Sequence, residues 1–117
     1  MKTLLILNDP PYGTERVYNA LRLAHAIGKA APEMAITIFL LGDAVLSARA
    51  GQKTPDGYYN VERMLKRVIV SGGKVLICGT CMDGRGLPAE QMMEGAERST
   101  MEALAQATIA ADKVLVF

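Results

Sequence analysis

Short apolar runs alternate along the chain with stretches in which apolar residues recur every three or four positions. Thr3-Leu4-Leu5-Ile6-Leu7 is a continuous apolar run, the pattern of a strand buried on both faces. It stops at the turn-forming stretch Asn8-Asp9-Pro10-Pro11-Tyr12-Gly13. Thr14 is then placed to cap a helix whose stripe is Val17, Leu21, Ala24 and Ile27, ending near Gly28 or Pro32. Residues 35–41 read as a second strand, and Asp43 as the cap of a short helix closed by Gly51. Residues 52–59 form an exposed loop containing Lys53, Pro55, Asp56 and Gly57.

The next helix carries Val61, Met64, Leu65 and Val68 on one face and Glu62, Arg63, Lys66 and Arg67 on the other. Lys74-Val75-Leu76-Ile77 is a third strand that runs into Cys78. The segment 82–95 has no clear period: Pro88 suits the first turn of a short helix, and Met92-Met93 fits either strand or helix. Ser99-Thr100-Met101-Glu102 reads as a capping box opening a last helix with Leu104, Thr108 and Ala111 inward, and residues 113–117 as a closing strand.

This alternation predicts a single domain over residues 1–117. Its expected fold is α/β: a flavodoxin-like three-layer αβα sandwich around a mostly parallel five-stranded sheet, in the order 2-1-3-4-5. Ligand sites in such sheets lie beyond the carboxyl ends of the strands, where the strand order reverses. That order puts the site between the first and third strands. Asn8, Pro11, Tyr12, Gly13 and Thr14 would then wall a pocket beside Cys78 and the loop carrying Asp83, Gly84 and Gly86.

Composition narrows the function. At 50% hydrophobic residues, the 117-residue chain can bury a core without metal or disulfide staples. Lys and Arg number 13 against 12 Asp and Glu, and no basic stripe gathers them, so nucleic acid is not an expected partner. No apolar run reaches the ~20 residues of a membrane span. The apolar start at residues 4–7 is too short for a signal peptide, so a cytoplasmic location is expected. Two cysteines in a reducing compartment point to reactive or metal-binding thiols rather than a cross-link.

A phosphate or flavin site is disfavoured. Pro10 and Pro11 remove two N–H donors where a phosphate cradle needs them, and no Gly-rich or Walker motif is present. Tyr12, Tyr58 and Tyr59 read as packing or interface residues. Zinc needs four ligands, and two cysteines with a single histidine, His25, do not supply them. No cofactor or metal is therefore expected.

Cys78-Gly79-Thr80-Cys81 carries the candidate chemistry. Cys78 ends a buried strand, where a free cysteine often serves as a small apolar residue. A second cysteine three residues on and Arg85 beyond it favour a reactive thiol instead, since a guanidinium and loop N–H groups stabilise a thiolate. About 2 kcal/mol suffices to leave an ordinary thiol about half ionised at pH 7. The spacing also suits a dithiol, but Asp83-Gly84-Arg85-Gly86 and Pro88 leave no room for the long helix of a thioredoxin site.

These residues carry a resemblance. Pro11-Tyr12-Gly13, Asp43-Ala44-Val45, Gly51-Gln52-Lys53, Tyr59-Asn60, Cys78-x-x-Cys81-x-Asp83-Gly84-Arg85-Gly86 and Ala111-Asp112-Lys113-Val114-Leu115 occur in order along the chain. In them the sequence resembles the DsrE/DsrF family of small sulfur-relay proteins, most closely its YchN-like branch. The resemblance implies a flavodoxin-like fold, a homotrimer or homohexamer, and transient sulfur donor and acceptor proteins. It also implies a persulfide on the cysteine seven residues before the Arg of an Arg-Gly pair, which is Cys78. Cys81 departs from the pattern, because the best-known sulfur-transferring members have another residue there and work as heteromeric complexes.

Three readings follow. In the first, Cys78 carries sulfur as a persulfide, Arg85 stabilises the anion and Cys81 serves its release. In the second, Cys78 and Cys81 are a redox dithiol. In the third, both thiols are inert and the chain is an oligomeric binding module, with Met92, Met93 and the Tyr58-Tyr59 loop serving subunit contacts.

Overall fold

The computed structural model describes residues 1–117. Five strands, β1 (Lys2–Leu7), β2 (Ala35–Leu40), β3 (Lys74–Cys78), β4 (Ala96–Ser99) and β5 (Lys113–Val116), form one sheet. Every pairing is parallel. The helices are α1 (Arg16–Ala30), α2 (Val61–Val70), the short α3 (Gly79–Gly84) and α4 (Met101–Ala110). Two 3-10 segments, Gly42–Ala48 and Ala89–Gln91, fill the connections after β2 and before β4.

The α/β class and five-strand count match expectation, but the strand order does not. The sheet runs β4-β3-β2-β1-β5 instead of 2-1-3-4-5. The chain steps outward from β1 to β4 and then returns across the sheet to the far side of β1. Right-handed crossovers place α1 and α2 on one face during the outward steps and α4 on the other during the return. His25 of α1 donates from Nε2 to the Met64 carbonyl of α2 at 2.9 Å, joining the two neighbours. Ala103 and Ala107 of α4 lie beside Leu4 and Leu76 across the opposite face.

The two faces are covered unequally. Leu5, Leu7, Ile38, Leu40, Val75 and Ile77 fall on one face by register, and all six are buried. On the other, Leu4 and Phe39 are buried, Ile6 and Leu76 are half-buried, and Val114 and Val116 are 39% and 65% exposed. A single ten-residue helix is too narrow to cover five strands. Exposed Met101 and Ile109 of α4 add to this open apolar area.

Local signals explain most element boundaries. Asn60 caps α2 by accepting the Arg63 N–H at 3.1 Å, and Thr100 caps α4 by accepting that of Ala103 at 3.1 Å. The capping residue is thus Thr100 rather than Ser99. Thr14 does not cap α1. That helix is entered through Glu15 at φ 64, with the Thr14 hydroxyl accepting the Arg16 N–H at 3.4 Å. Asp43 is likewise not a cap; it sits inside the first 3-10 turn, where its carboxylate is taken by Arg85. No helix is long and apolar enough to cross a membrane.

Candidate functional site

All strands run the same way, but the chain steps outward through β3 to β4 and returns across the sheet after β4, so the switch point lies between β3 and β4. Cys78 ends β3 there, and Ser99 is its register partner at the end of β4. A crevice of about 420 Å³ opens at that point, lined by Cys78, Gly79, Thr80, Arg98, Ser99, Thr100, Met101 and Glu102. Cys78 therefore occupies the switch point, which is formed by β3 and β4 instead of by the first and third strands.

Cys78 is buried, with 5% of its surface exposed. Its Sγ accepts the Cys81 N–H at 3.3 Å and lies 3.3 Å from the Thr80 hydroxyl, capping the first turn of α3. Burial pushes this thiol up, but the bonds from the Cys81 thiol, the Thr80 hydroxyl and the Cys81 and Thr80 N–H groups outweigh it. The net result holds Cys78 below the ordinary thiol value. Cys81 moves the other way. Burial raises it first, and the neighbouring Cys78 raises it further, against the Gly42 N–H and the charge of Arg85. The pair is thus divided into a thiol held below the ordinary value and one held above it, and neither is in a disulfide.

Arg85 serves the second cysteine rather than the first. Its Nε donates to Asp43 Oδ1 at 2.9 Å, its Nη2 forms an ion pair with the same oxygen at 2.9 Å, and its Nη1 donates to the Cys81 carbonyl at 3.1 Å. Cys81 Sγ accepts the Gly42 N–H at 3.2 Å. Gly42 sits at φ +56, so this amide depends on a residue that tolerates left-handed backbone. Arg85 and Asp43 thereby tie the end of α3 to the segment after β2.

The Asn8-to-Thr14 loop is not at the cysteine crevice, because β2 separates β1 from β3. Asn8 donates from its backbone N and its Nδ2 to the Phe117 carbonyl at 2.9 and 3.2 Å. Tyr12 donates its hydroxyl to Gln52 Oε1 at 2.5 Å and accepts the Val61 N–H at 3.2 Å. Half-buried Pro11, Gly13 at φ +104 and exposed Thr14 shape the same loop. Tyr12 belongs to a cluster of all four tyrosines, in which Tyr59 stacks on Tyr18 and Tyr58 with ring centres 4.1 and 4.5 Å apart. Burial and Tyr58 push the Tyr59 hydroxyl up to about 12. These tyrosines therefore act as packing.

Asp83 does belong to the site, through Arg98 of β4. Both its carboxylate oxygens accept from Arg98, at 2.8 Å each. Gly84 closes α3 and Gly86, at φ 63, turns the chain back; neither lines the crevice. Arg98 carries no site signal in the sequence, and Ser99 and Thr100 read only as a helix cap, because β4 is the polar segment Ala96-Glu97-Arg98-Ser99, with no apolar run to mark it. The cap preceding α4 was the signal available, since a strand had to end just before it.

A parallel α/β sheet thus presents, at the end of β3, a cysteine held below the ordinary thiol value. The chain belongs to the DsrE/DsrF-like family, whose model matches residues 1–117. It is 40% identical to Protein YchN of Escherichia coli (strain K12) over 116 residues, covering 99% of this chain and 98% of that one. The crystal structure of the ychN protein from E. coli superposes with a TM-score of 0.95 at 39% identity, over 100% of this chain and 99% of that chain. A more distant relative, Sulfurtransferase TusD of Salmonella typhi, is 26% identical over 129 residues, with both chains fully covered. The kinship suggests a sulfur-relay role.

Proposed function

We propose that this protein is a cytoplasmic persulfide carrier that takes sulfur onto Cys78 and hands it to an acceptor thiol. The observation that carries the reading is the environment of Cys78 Sγ. It lines the crevice, accepts the Cys81 N–H, lies 3.3 Å from the Thr80 hydroxyl and is held below the ordinary thiol value. The kinship with TusD supports sulfur as the cargo.

Cys78 thiolate attacks the outer sulfur of a donor persulfide. A new S–S bond forms to that sulfur, the donor's S–S bond breaks, and the donor leaves as a thiolate. The group on Cys78 is then S–SH, or S–S⁻ once its proton is lost. In delivery the acceptor thiolate attacks the outer sulfur and Cys78 thiolate departs, so neither step needs an outside oxidant or reductant. The donors that hold the Cys78 thiolate before loading also receive it when it leaves.

Assembly into the homotrimer or homohexamer implied by the family resemblance is part of the proposal. The half-covered sheet face with exposed Val114, Val116, Met101 and Ile109 supplies an apolar surface for a second copy. Donor and acceptor proteins would meet the crevice transiently. After incubation with a small-molecule persulfide, the peptide containing Cys78 is expected to gain about 32 Da, removable by dithiothreitol. No gain, or a gain confined to Cys81, would overturn the assignment.

The opposed shifts of Cys78 and Cys81 favour a second reading, a dithiol. Here Cys81 thiolate attacks the inner sulfur of the Cys78 persulfide, the Cys78–Cys81 disulfide forms and sulfide leaves. A dithiol reductant must then restore the pair. Release of sulfide in step with disulfide formation distinguishes this reading from transfer to an acceptor.

A further inference from the structure

Arg98 is the only basic side chain lining the crevice. It projects from the end of β4, and its Nη1 and Nη2 each donate to one oxygen of Asp83 at 2.8 Å, which fixes the plane of the guanidinium. That plane lies against the backbone of Gly79, the residue after Cys78. A side-chain carbon at position 79 would stand 2.8 Å from Arg98 Cζ and Nε, closer than carbon atoms pack. Glycine at 79 therefore lets a positive charge settle within one residue of the thiol.

About half of the Arg98 side chain remains exposed, and its remaining N–H groups are free to meet a ligand. The Arg98 guanidinium is held above its ordinary value first by Asp83, with the Cys78 thiolate adding to the effect. The other charged groups nearby do not duplicate it. Arg85 is occupied by Asp43 and the Cys81 carbonyl, Asp83 spends both oxygens on Arg98, and Glu102, exposed at the start of α4, brings a carboxylate to the same crevice.

We propose that Arg98, held by Asp83 against the Gly79 backbone, is a specificity-determining residue that presents positive charge to incoming sulfur and selects anionic sulfur compounds over neutral ones. The inference rests on the reading of Cys78 as the sulfur-carrying thiol. It adds the class of donor: a persulfide anion or another negatively charged sulfur species, rather than a neutral polysulfide.

Alkylation of Cys78 by anionic iodoacetate and neutral iodoacetamide reads the charge at the thiol without any sulfur transfer. The iodoacetate-to-iodoacetamide rate ratio is expected to fall about threefold in Arg98→Gln and to be largely kept in Arg98→Lys. A merely structural role would slow or speed both reagents together. In the wild-type protein the ratio should fall as salt is raised, since the charge is partly exposed to ions. An unchanged ratio in Arg98→Gln overturns the proposal, and so does a wild-type ratio indifferent to salt. If the ratio behaves as expected but Cys78 takes up no sulfur, the carrier reading fails while the charge assignment stands.

Discussion

Cys78→Ser is expected to leave the protein folded and to abolish sulfur loading. Serine is close in size to cysteine, and its hydroxyl can accept the Cys81 N–H that now reaches Cys78 Sγ at 3.3 Å. The start of α3 is therefore kept. The chemistry is lost because an alcohol ionises far above a thiol, and no base is placed to take its proton. Cys81 does not take over. Its thiol is pushed up first by burial, its Sγ faces the Gly42 N–H, and it does not line the crevice. Intact-mass measurement after exposure to a small-molecule persulfide checks this: the variant should show no adduct under conditions that load the wild type. Loading of the variant at the wild-type level would place the sulfur elsewhere.

Cys81→Ala is expected to slow alkylation of Cys78 at neutral pH about tenfold. Against the burial that raises Cys78, the neighbouring Cys81 side chain is foremost among the influences that lower it. A hydrogen bond to a charged group contributes about 1.5 kcal/mol, roughly a tenfold change in the ionised fraction. The sign follows directly. Losing a donor to the anion raises the folded-state value of Cys78, so less thiolate exists at neutral pH. At alkaline pH, where both proteins are fully ionised, the rates should converge. Cys81→Ser retains a donor at that position and should stay near the wild-type profile. A pH–rate profile with iodoacetamide separates these outcomes, and identical profiles for wild type and Cys81→Ala would remove Cys81 from the account.

Those variants turn on residues that the sequence marks openly, whereas other parts of the site are hidden in it. The strands β1, β2, β3 and β5 stand out as apolar runs because the sheet buries Leu4, Leu5, Leu7, Ile38, Phe39 and Ile77. At the edge of the sheet β4 has no such signature, since Ala96-Glu97-Arg98-Ser99 pairs with β3 alone and faces water on its outer side. Strand order is not written in any local pattern, because it depends on which face each crossover leaves bare. The difference between 2-1-3-4-5 and β4-β3-β2-β1-β5 moves the Asn8-to-Thr14 loop away from Cys78, whereas the β3–β4 pairing that brings Arg98 to the crevice is common to both orders and is hidden only by the polar sequence of β4.

Cys78 itself is found under either order, because it stands at the carboxyl end of an interior strand with a second cysteine one helical turn ahead. Arg85 illustrates the limit of spacing arguments. Seven residues separate it from Cys78, yet the turn of α3 directs it to Asp43 and the Cys81 carbonyl. The neighbour that spacing could not supply comes from β4, twenty residues beyond Cys78 in the chain and beside it in the sheet.

Pulse-chase of sulfur tests the central claim most directly. The protein is loaded from a small-molecule persulfide, freed of donor, and mixed with an excess of a thiol-bearing acceptor. Both partners are then weighed by mass spectrometry while free sulfide is assayed. A carrier working through Cys78 should lose about 32 Da as the acceptor gains the same mass, with little sulfide released. Sulfide appearing in step with a Cys78–Cys81 disulfide, while the acceptor stays unchanged, would contradict the carrier account.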